Sequence, residues 1–365
     1  MDRSLMLAVQ LLDWGGGPVV RDVPVPSPTG GEVLLEVTAA GLCRSDLAVC
    51  AAPAGRFDYP LPLTLGHEVA GRVVRTGPDV DGDLIGRSVV VHGVWSCRRC
   101  RNCRRGRENY CLALRPVDGR LAPIGGGLGR DGGLAEYMVV PDPTVLVDIG
   151  SLPPASAAPL ADAGATAYHV VESNADLLDE NAVVIVVGIG GLGHLAVRLA
   201  VLRGAGHVVA VDPRAAARMS ATTMGASSVH ESLSDAIAET DGLGGTDLVL
   251  DFVGADDTMS AGVRALVPGG RLVVVGGAGG AVSVGKNKGL SAGWQVSAPF
   301  WGTRADLEAV VALATAGLVE AEVSTRPLDE AVDAYDRLRA GVEAGRTVLL
   351  PPRSVADHAG KEPNR

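Results

Sequence analysis

The chain has 365 residues, of which 47% are hydrophobic and 20% are charged, a composition typical of globular rather than disordered proteins. The formal net charge of −10 argues against nucleic acid or an anionic membrane as a partner of the whole chain. No apolar run is long enough to span a bilayer and the first residues lack the pattern of a secretory signal, so we expect a cytoplasmic protein.

A chain of this length is expected to form two domains. The first 150 residues contain short β-type segments separated by Gly and Pro clusters, which predicts a partly closed β-barrel. The predicted strands of this region lie at 32–37, 69–74, 86–91 and 135–140.

Near residue 150 the pattern changes to strands that alternate with helices. The expected strands lie at 181–187, 208–212, 247–253 and 271–275. The expected helices lie at 155–168 and near 191–203, 214–224 and 257–266. This alternation predicts a parallel, doubly wound sheet of the α/β class.

The last part of the chain changes pattern once more. Residues 304–318 and 328–340 are expected to form amphipathic helices, 346–350 a short closing strand, and the polar tail that follows is expected to be disordered. The expected domains are 1–160, 161–302, a return to the first domain at 303–350, and a polar tail at 351–365.

Residues 188–193 form a Gly-rich turn, Gly-Ile-Gly-Gly-Leu-Gly, between a predicted buried strand and a predicted helix. In that context the motif predicts a dinucleotide site, with the pyrophosphate at the helix N-terminus. Gly188 would make the tight turn, Gly190 would admit the phosphates and Gly193 would let helix and strand pack closely. The candidate cofactor-binding residues of the turn are Gly188, Gly190, Gly191, Leu192 and Gly193.

Asp212 ends the next predicted strand, 19 residues after Gly193. There it can accept hydrogen bonds from both ribose hydroxyls, and it would repel a 2′-phosphate. This favours NAD over NADP, although Arg214 keeps NADP open as an alternative.

Four cysteines have the most specific spacing in the chain: Cys97, Cys100, Cys103 and Cys111. Four thiolates at this spacing can close a tetrahedral zinc site with no open position, which predicts a structural zinc lobe at 93–113. The alternatives are free thiols or, because the lobe is rich in Arg, a nucleic-acid-binding module. No aromatic residues interleave the arginines for base stacking, so a solvated basic face is the preferred interpretation.

Cys43 and His67 are candidate ligands of a second zinc, because the four-cysteine lobe does not use them. A catalytic zinc needs three protein ligands and one open position. The candidates for the third ligand are Asp162, Cys50, Glu68 and Asp46, and the spacing does not choose among them. Asp162 can equally be the N-cap of the helix that follows it.

Taken together, the motifs resemble the zinc-dependent medium-chain alcohol dehydrogenases, specifically a bacterial secondary-alcohol type, over about residues 5–350. The resemblance rests on residues 41–46, 66–71, 106–111, 158–166 and 188–193. It implies a GroES-like β-barrel catalytic domain and a Rossmann coenzyme domain. It also selects Asp162 as the third zinc ligand, although the family usually has Cys there.

The resemblance implies roles for further residues. Ser45 would bond the zinc-bound alcohol and pass on its proton, Asp46 would hold His67, and Glu68 would lie behind the metal. Arg44 and Arg346 resemble the family's pyrophosphate contacts. The ordinary alternatives are a turn hydroxyl for Ser45 and a surface or barrel carboxylate for Asp46 and Glu68. For Arg44 and Arg346 the alternative is a surface cation.

One position departs from the family pattern. Classical members have a His five residues after the first zinc-binding Cys, at the outer end of the proton relay. Here that position is Ala48. We therefore expect protons to leave through ribose hydroxyls and water, or through another group.

These features predict a zinc-dependent dehydrogenase, with two Zn2+ per chain, that transfers hydride between a hydrophobic primary or secondary alcohol and NAD+. Four aromatic residues are candidates for an apolar substrate wall, or alternatively for packing between the domains: Phe57, Trp95, Phe300 and Trp301. The alternative functions are a zinc-independent double-bond or iminium reductase of the same fold and a non-catalytic zinc- or nucleotide-binding protein. We expect a small-molecule substrate, no nucleic-acid or membrane partner, and a homodimer or homotetramer.

Overall fold

The computed structural model describes residues 4–285, 292–342 and 345–352. The strands of the N-terminal half are β1 (Leu5–Leu11), β2 (Pro18–Pro24), β3 (Val33–Gly41), β4 (Leu63–Thr64), β5 (Glu68–Thr76), β6 (Ser88–Val91), β7 (Gly125–Gly126), β8 (Gly129–Arg130), β9 (Tyr137–Val140) and β10 (Leu146–Asp148). The helices of this half are α1 (Arg44–Cys50) and α2 (Pro154–Ala157).

The central part of the chain alternates strands and helices. Its strands are β11 (Val183–Val187), β12 (His207–Val211), β13 (Ser228–His230), β14 (Thr246–Asp251), β15 (Leu266–Val274) and β16 (Gln295–Ser297). Its helices are α3 (Ala163–Glu172), α4 (Gly193–Leu202), α5 (Ala215–Met224), α6 (Leu233–Gly242) and α7 (Asp256–Ala265). The C-terminal elements are α8 (Arg304–Thr315), β17 (Val323–Pro327), α9 (Ala331–Ala340) and β18 (Arg346–Leu350).

The N-terminal strands build a largely antiparallel barrel. One sheet has the order β10-β6-β5-β3-β18-β17, with β9 also on β3, and a second has the order β2-β1-β4. Apolar side chains such as Leu11, Leu35 and Leu65 fill the space between them and are fully buried. Burying each such Leu stabilises the fold by about 1.5–3 kcal/mol.

The register of β3 against β5 positions the chemistry of the barrel. Gly41 pairs with Glu68 at the end of both strands. The residues that follow β3 and precede β5 therefore meet at one edge of the sheet. β18 runs antiparallel to β3, with Val348 opposite Gly41, so the C-terminal strand reaches the same edge.

The central elements form a parallel sheet of order β13-β12-β11-β14-β15-β16, with α4 to α7 between successive strands from β11 to β15. All residues of β11 are buried, as expected for a strand covered on both faces. In such open sheets, ligands bind at the carboxyl ends of the strands where the strand order reverses. Here that point lies at the ends of β11 and β14. The predicted fold class is therefore confirmed.

Some predicted elements differ from the structure. The helix expected at 155–168 is interrupted: α2 passes into a 3-10 helix, Ala158–Ala161, and α3 begins only after Asp162. Asp162 stands at this break with φ −120° and ψ −65°. The helix expected at 328–340 begins with a 3-10 turn, Leu328–Glu330, before α9.

The hairpin of β1 and β2 did not follow from the sequence pattern. The tail predicted to be disordered lies outside the described residues beyond Pro352. Within the described part of the chain, the helices lack the length and apolar character needed to cross a membrane.

Candidate active site

Four potential metal ligands meet where β3, β5 and α3 approach one another. Cys43 is the N-cap of α1, His67 immediately precedes β5, and Asp162 immediately precedes α3. One donor atom from each of these residues and one from Glu68 lie within 4.8 Å of one another. The other two candidate ligands, Cys50 and Asp46, are not in this group.

The separations of the donor atoms fit a zinc ion. Asp162 Oδ2 lies 3.5 Å from Cys43 Sγ and 3.6 Å from His67 Nε2. Zinc bonds of about 2.0–2.3 Å in a tetrahedron place neighbouring ligand atoms about 3.3–3.8 Å apart. A thiolate, an imidazole and a carboxylate would together balance the two charges of Zn2+ and leave one position open.

Asp162 occupies the N-cap position of α3, as the alternative predicted. Its carboxylate makes no side-chain cap to the backbone of α3. The backbone carbonyl of Asp162 instead accepts from Thr166 N at 2.8 Å, and Oδ1 accepts from Thr166 Oγ1 at 3.1 Å. The remaining oxygen, Oδ2, faces Cys43 and His67.

Asp46 orients His67 from the side away from the other ligands. Asp46 Oδ1 lies 3.1 Å from His67 Nδ1, while Asp46 Oδ2 accepts from Cys43 N at 3.0 Å. Both side chains are fully buried. Burial alone would lower the pKa of His67, but the charge of Asp46 and hydrogen bonds to Asp162, Asp46 and Cys43 raise this pKa well above its ordinary value. The pairing at Nδ1 leaves Nε2 facing Asp162.

Ser45 lies on the open side of the ligand group. Its hydroxyl donates to Cys43 Sγ at 3.0 Å and lies 3.3 Å from His67 Nε2. The residue is half-buried, whereas Ala48, one turn along α1, is exposed. A proton at Ser45 is therefore close to solvent, although Ala48 has no group that could relay it.

Glu68 and Arg346 form a buried ion pair behind the ligands. Arg346 Nη2 donates to Glu68 Oε1 at 2.5 Å and lies 3.5 Å from Asp162 Oδ2. Burial raises the pKa of Glu68 to about 7 against the opposing charge of Arg346. Glu68 Oε2 is buried without a hydrogen-bond partner. Arg346 is only 6% exposed, so its alternative as a surface cation is wrong.

The Gly-rich turn has the backbone that a pyrophosphate needs. Gly188 has φ +87°, which favours Gly, and a Cβ on Gly193 would lie 2.0 Å from Gly188 O. Around Gly190, by contrast, no atom lies within 4 Å of where a Cβ would stand. The space there admits a ligand at the N-terminus of α4. A Cβ on Gly191 would meet the Arg346 guanidinium at 3.0 Å, so the turn and the buried ion pair are in contact.

Asp212 directly follows β12, beside the same turn. Its Oδ2 accepts from Ile189 N at 2.9 Å, and its Oδ1 accepts from Arg214 N at 2.9 Å. A groove of about 60 Å³ opens between this turn and the loop before β18, and Ile189, Gly190, Arg214, Glu322, Gly341 and Gly345 are among its lining residues. Arg44 is exposed, and its Nη2 lies 3.8 Å from where a Cβ on Gly341 would stand. Gly190 is the candidate cofactor residue that lines this groove, and Asp212 contacts the adjoining Ile189.

The four candidate substrate-wall residues make different contacts. The Trp301 ring lies 5.5 Å from the His67 ring and packs edge-on against Phe300 at 6.0 Å. Phe57 stacks instead on Tyr59 at 4.7 Å, and among the described residues it has no ring contact with Trp301. Trp95 lines a cavity of about 350 Å³ beside the cysteine lobe. Trp301 is the member of this set that lies against the metal ligands.

The four lobe cysteines converge as a separate group. Their sulfur atoms lie within 4.8 Å of one another, with Cys100 and Cys103 3.4 Å apart. Backbone N–H groups of Leu112 and Cys103 lower the pKa of Cys100 to about 6. Mutual distances of this size fit a tetrahedral zinc of four sulfurs.

Two groups near these sites were missed by sequence reasoning. Tyr335 of α9 is fully buried beside Asp46; burial and that charge raise its pKa well above the ordinary value. Asn109, in the lobe, donates to Phe300 O at 2.9 Å. No local motif marks such long-range contacts.

Comparisons with known proteins agree with this geometry. The alcohol dehydrogenase GroES-like domain matches residues 29–151, and the zinc-binding dehydrogenase family matches residues 191–316. The chain is 34% identical over 340 residues to a D-arabinose 1-dehydrogenase (NADP(+)) of Saccharolobus solfataricus, covering 91% of this chain and 94% of that protein. It is 32% identical over 362 residues to an NAD-dependent alcohol dehydrogenase of Sulfurisphaera tokodaii, covering 95% of this chain and 100% of the relative. An alcohol dehydrogenase structure from Aeropyrum pernix superposes with a TM-score of 0.86 at 31% identity, covering 94% of this chain and 100% of that one.

Proposed function

The chain belongs to the zinc-type medium-chain alcohol dehydrogenase family, as its motifs predicted, and from this premise we propose that it transfers hydride between a hydrophobic primary or secondary alcohol and NAD+. Its class is that of an NAD-dependent oxidoreductase acting on small-molecule alcohols. The observation that supports the site is the convergence of Cys43, His67 and Asp162 close to the dinucleotide turn.

Cys43, His67 and Asp162 would hold the catalytic zinc, and the four lobe cysteines would hold a structural one. A zinc ion bound at the first site supplies Lewis acidity, which lowers the pKa of an alcohol as it does that of water. Asp46 fixes the ring of His67 so that Nε2 stays directed at the site.

Ser45 is the candidate proton carrier. Its hydroxyl lies within 3.3 Å of donor atoms of two proposed ligands, so it can accept a hydrogen bond from a substrate alcohol there. Because Ser45 is half-buried and Ala48 is exposed, the proton can pass from the Ser45 hydroxyl to water or to a cofactor ribose hydroxyl.

The cofactor residues would act around the groove. Bound NAD+ supplies the hydride acceptor. Gly190, Gly191, Leu192 and the start of α4 would face its pyrophosphate, with Arg346 and Arg44 as cationic partners and Gly188 and Gly193 shaping the turn. Asp212 would accept hydrogen bonds from the adenosine ribose. Glu68 would hold Arg346 in place from behind the ligands.

The hydrophobic substrate preference rests on Trp301. Its ring lies against His67 and is 7% exposed, so it presents apolar surface beside the proposed metal. Phe300 extends this surface, while Phe57 stacks on Tyr59 and Trp95 lines the cavity beside the cysteine lobe.

Two alternative functions are less well supported. A zinc-independent reductase of a double bond or an iminium would not need Cys43, His67 and Asp162 to converge, and here they do. A non-catalytic binding protein would not need the hydroxyl of Ser45 beside those ligands.

We further propose a cytoplasmic homodimer or homotetramer that needs neither nucleic acid nor membrane. We propose the domain boundaries 1–160, with the zinc lobe at 93–113, then 161–302 and 303–350. The pairing of β18 with β3 supports the return of the chain to the first domain.

Zinc analysis combined with a turnover assay tests the proposed function. Purified protein is analysed for zinc, and NAD+ reduction is followed by nicotinamide absorbance over a panel of secondary alcohols and a few sugars. Two zinc ions per chain and turnover of apolar secondary alcohols are expected. One zinc per chain without turnover would contradict the proposal, and turnover of sugars alone would contradict the substrate class.

A further inference from the structure

His194 lies in the first turn of α4, directly after the Gly-rich turn. It is only 1% exposed, and both of its ring nitrogens are paired. Glu322 N donates to His194 Nε2 at 3.1 Å, and His194 Nδ1 lies 2.8 Å from Gly190 O. Because a backbone N–H can only donate, Nε2 carries no proton, and the ring proton on Nδ1 donates to the Gly190 carbonyl. These contacts require a neutral imidazole in one defined tautomer.

The surroundings of His194 favour that neutral form. Burial lowers the pKa of His194, and the charge of Arg346 acts in the same direction, against the Gly190 carbonyl and the charge of Glu322. A neutral imidazole donates from one nitrogen and accepts at the other, which an imidazolium cannot do. Protonation would therefore break the contact with Glu322 N.

The bond to Gly190 fixes one peptide of the candidate cofactor turn. Gly190 O also accepts from His194 N at 3.3 Å, so this carbonyl is held at two points. In a trans peptide the C=O and the following N–H point in opposite directions, so the Gly191 N–H is directed away from the buried ring. No atom lies within 4 Å of where a Cβ on Gly190 would stand, which leaves room for a ligand there. His194 thus sets the orientation of a backbone donor at the candidate pyrophosphate site.

The bond to Glu322 fixes the segment that carries Arg346. Glu322 O accepts from Arg346 N at 2.8 Å. The Arg346 guanidinium in turn lies 3.0 Å from where a Cβ on Gly191 would stand. The ring of His194 therefore joins the turn of the parallel sheet to the starts of β17 and β18. Its two partners, Gly190 and Glu322, line the same groove.

We propose that His194 is a positioning residue for the nicotinamide cofactor: it clamps the Gly-rich turn to the segment before β17, and so holds the backbone donors of the turn and Arg346 at the spacing that the pyrophosphate requires. The identity of the ligand rests on the proposed dehydrogenase function. The consequence is that cofactor affinity depends on a buried neutral side chain that acts through its two backbone partners.

Titrations of NADH, followed by nicotinamide fluorescence, test the proposal in three variants. His194→Phe keeps a ring and removes both hydrogen bonds. His194→Asn keeps a donor for the Gly190 carbonyl and loses the acceptor for Glu322 N. Arg198→Ala is the matched control, because Arg198 Nε lies farther along α4 and joins this helix to Leu318 O at 2.7 Å. Circular dichroism melts verify that each variant is folded.

In His194→Phe, the Kd for NADH is expected to rise about tenfold, because two buried hydrogen bonds are lost at the turn. His194→Asn retains one of the two, so its Kd should rise about threefold. Arg198→Ala should stay within about twofold of wild type, because its contact is separate from the turn. In turnover assays the KM for NAD+ should rise with the Kd, while kcat at saturating NAD+ stays within about twofold.

Three results would overturn the proposal: an unchanged Kd in His194→Phe, an equal weakening of NADH binding in Arg198→Ala, or a fall in kcat with an unchanged KM for NAD+. If His194→Phe does not fold, His194→Asn decides, and a Kd equal to that of wild type would overturn it. A wild type that binds NADH yet oxidises no alcohol would contradict the proposed function and leave the role of His194 intact. A wild type that does not bind NADH would contradict both.

Discussion

Asp162 would supply the oxygen ligand of the proposed metal site. We expect Asp162→Ala to lose the catalytic zinc and keep the lobe zinc, because Cys43 and His67 alone leave too few ligands. Zinc content should fall from about two ions per chain to about one. Inductively coupled plasma analysis of purified protein measures this directly.

Asp162→Cys is the control for that substitution, because a thiolate there restores three ligands. It should retain both ions. If Asp162→Ala also retains both, the carboxylate serves only the start of α3 and its contact with Thr166.

The proposed role of Ser45 as proton carrier can be tested separately from zinc binding. Ser45→Ala should lower kcat by about 10²-fold or more, the usual size of a lost general acid–base contact, with zinc content unchanged. Ser45→Thr keeps the hydroxyl and should recover most of the rate. Steady-state kinetics across pH distinguishes the two variants. A Ser45→Ala enzyme of near wild-type kcat would mean that water alone takes the proton.

At the scale of elements, the zinc lobe and the segment before α8 are joined by polar contacts. Asn109 donates to Phe300 O, and Glu108 Oε1 accepts from Arg304 N at 2.7 Å. Between these anchors Trp301 has φ +54°, and its indole N–H donates to Ala161 O at 2.9 Å, next to Asp162. The lobe therefore helps to hold the ring that packs on His67.

Asn109→Ala should loosen Trp301 without removing the lobe zinc, since Asn109 supplies no sulfur ligand. Losing a buried hydrogen bond costs about 1–3 kcal/mol. Because the loosened Trp301 is the proposed substrate wall, the ratio of kcat/KM between a bulky and a small secondary alcohol should change about tenfold. Paired kinetics on the two alcohols, with zinc analysis, measure this.

Tyr110→Phe is the matched control for the Asn109 variant. It removes the hydroxyl that lies 3.2 Å from His169 Nε2 and leaves the contact to Phe300. Its ratio of kcat/KM between the bulky and the small alcohol should stay within about twofold of wild type. A tenfold change would correspond to a free-energy difference of about 1.4 kcal/mol. Equal selectivity in wild type, Asn109→Ala and Tyr110→Phe would show that the lobe does not position Trp301.

A carboxylate on α6 joins two strands of the parallel sheet. Glu239 Oε1 lies 2.7 Å from His207 Nε2 in β12, and Oε2 lies 2.5 Å from His230 Nε2 in β13. Burial raises the pKa of Glu239, but hydrogen bonds from His207, His230 and Ser228 outweigh it and lower the pKa to about 2. This edge of the sheet also contacts Asp212, whose N–H donates to His230 O at 3.1 Å.

Glu239→Gln should therefore reduce stability in a pH-dependent way. Folding lowers the pKa of Glu239, so its carboxylate stabilises the fold at pH values above the ordinary pKa of 4.5. That stabilisation is lost as the pH falls toward about 2. Because the carboxylate is partly solvated, we expect a difference of about 1 kcal/mol at pH 6. Urea denaturation of both proteins between pH 6 and 3 measures it. A difference that stays constant over this range would contradict the assignment, and Glu172→Gln serves as an exposed control.

The elements that followed from the sequence are those with strong local signals. β11 is a continuous apolar run, and the glycines of 188–193 have the spacing of a known turn. The helix expected at 155–168 ran through Asp162 because the Ala-rich sequence on both sides favours helix, whereas the N-cap alternative placed a helix start there. Contacts of Asp162 with Cys43 and His67 lie at the observed break.

At the scale of the whole molecule, the site depends on contacts between distant parts of the chain. Cys43 and Asp162 are separated by 119 residues, and Glu68 and Arg346 by 278. Motif resemblance proposed the ligand set, which stays a prediction, and spacing could not choose the third ligand or distinguish a buried Arg346 from an exposed one. Partners such as Tyr335 and Asn109 have no local signal at all.

Arg346 connects the metal ligands to the cofactor turn, so its loss should affect both stability and binding. Arg346→Ala leaves the fully buried Glu68 without its cation, which should cost about 3–5 kcal/mol of unfolding free energy and weaken NADH binding. Replacing both residues, as Glu68→Gln with Arg346→Met, removes the unpaired charge and should recover most of the stability but not the affinity. Urea denaturation and NADH titration separate these effects. Recovery of NADH affinity in the double variant would show that Arg346 only neutralises Glu68. If Arg346 contacts the pyrophosphate, a neutral residue in its place must weaken NADH binding.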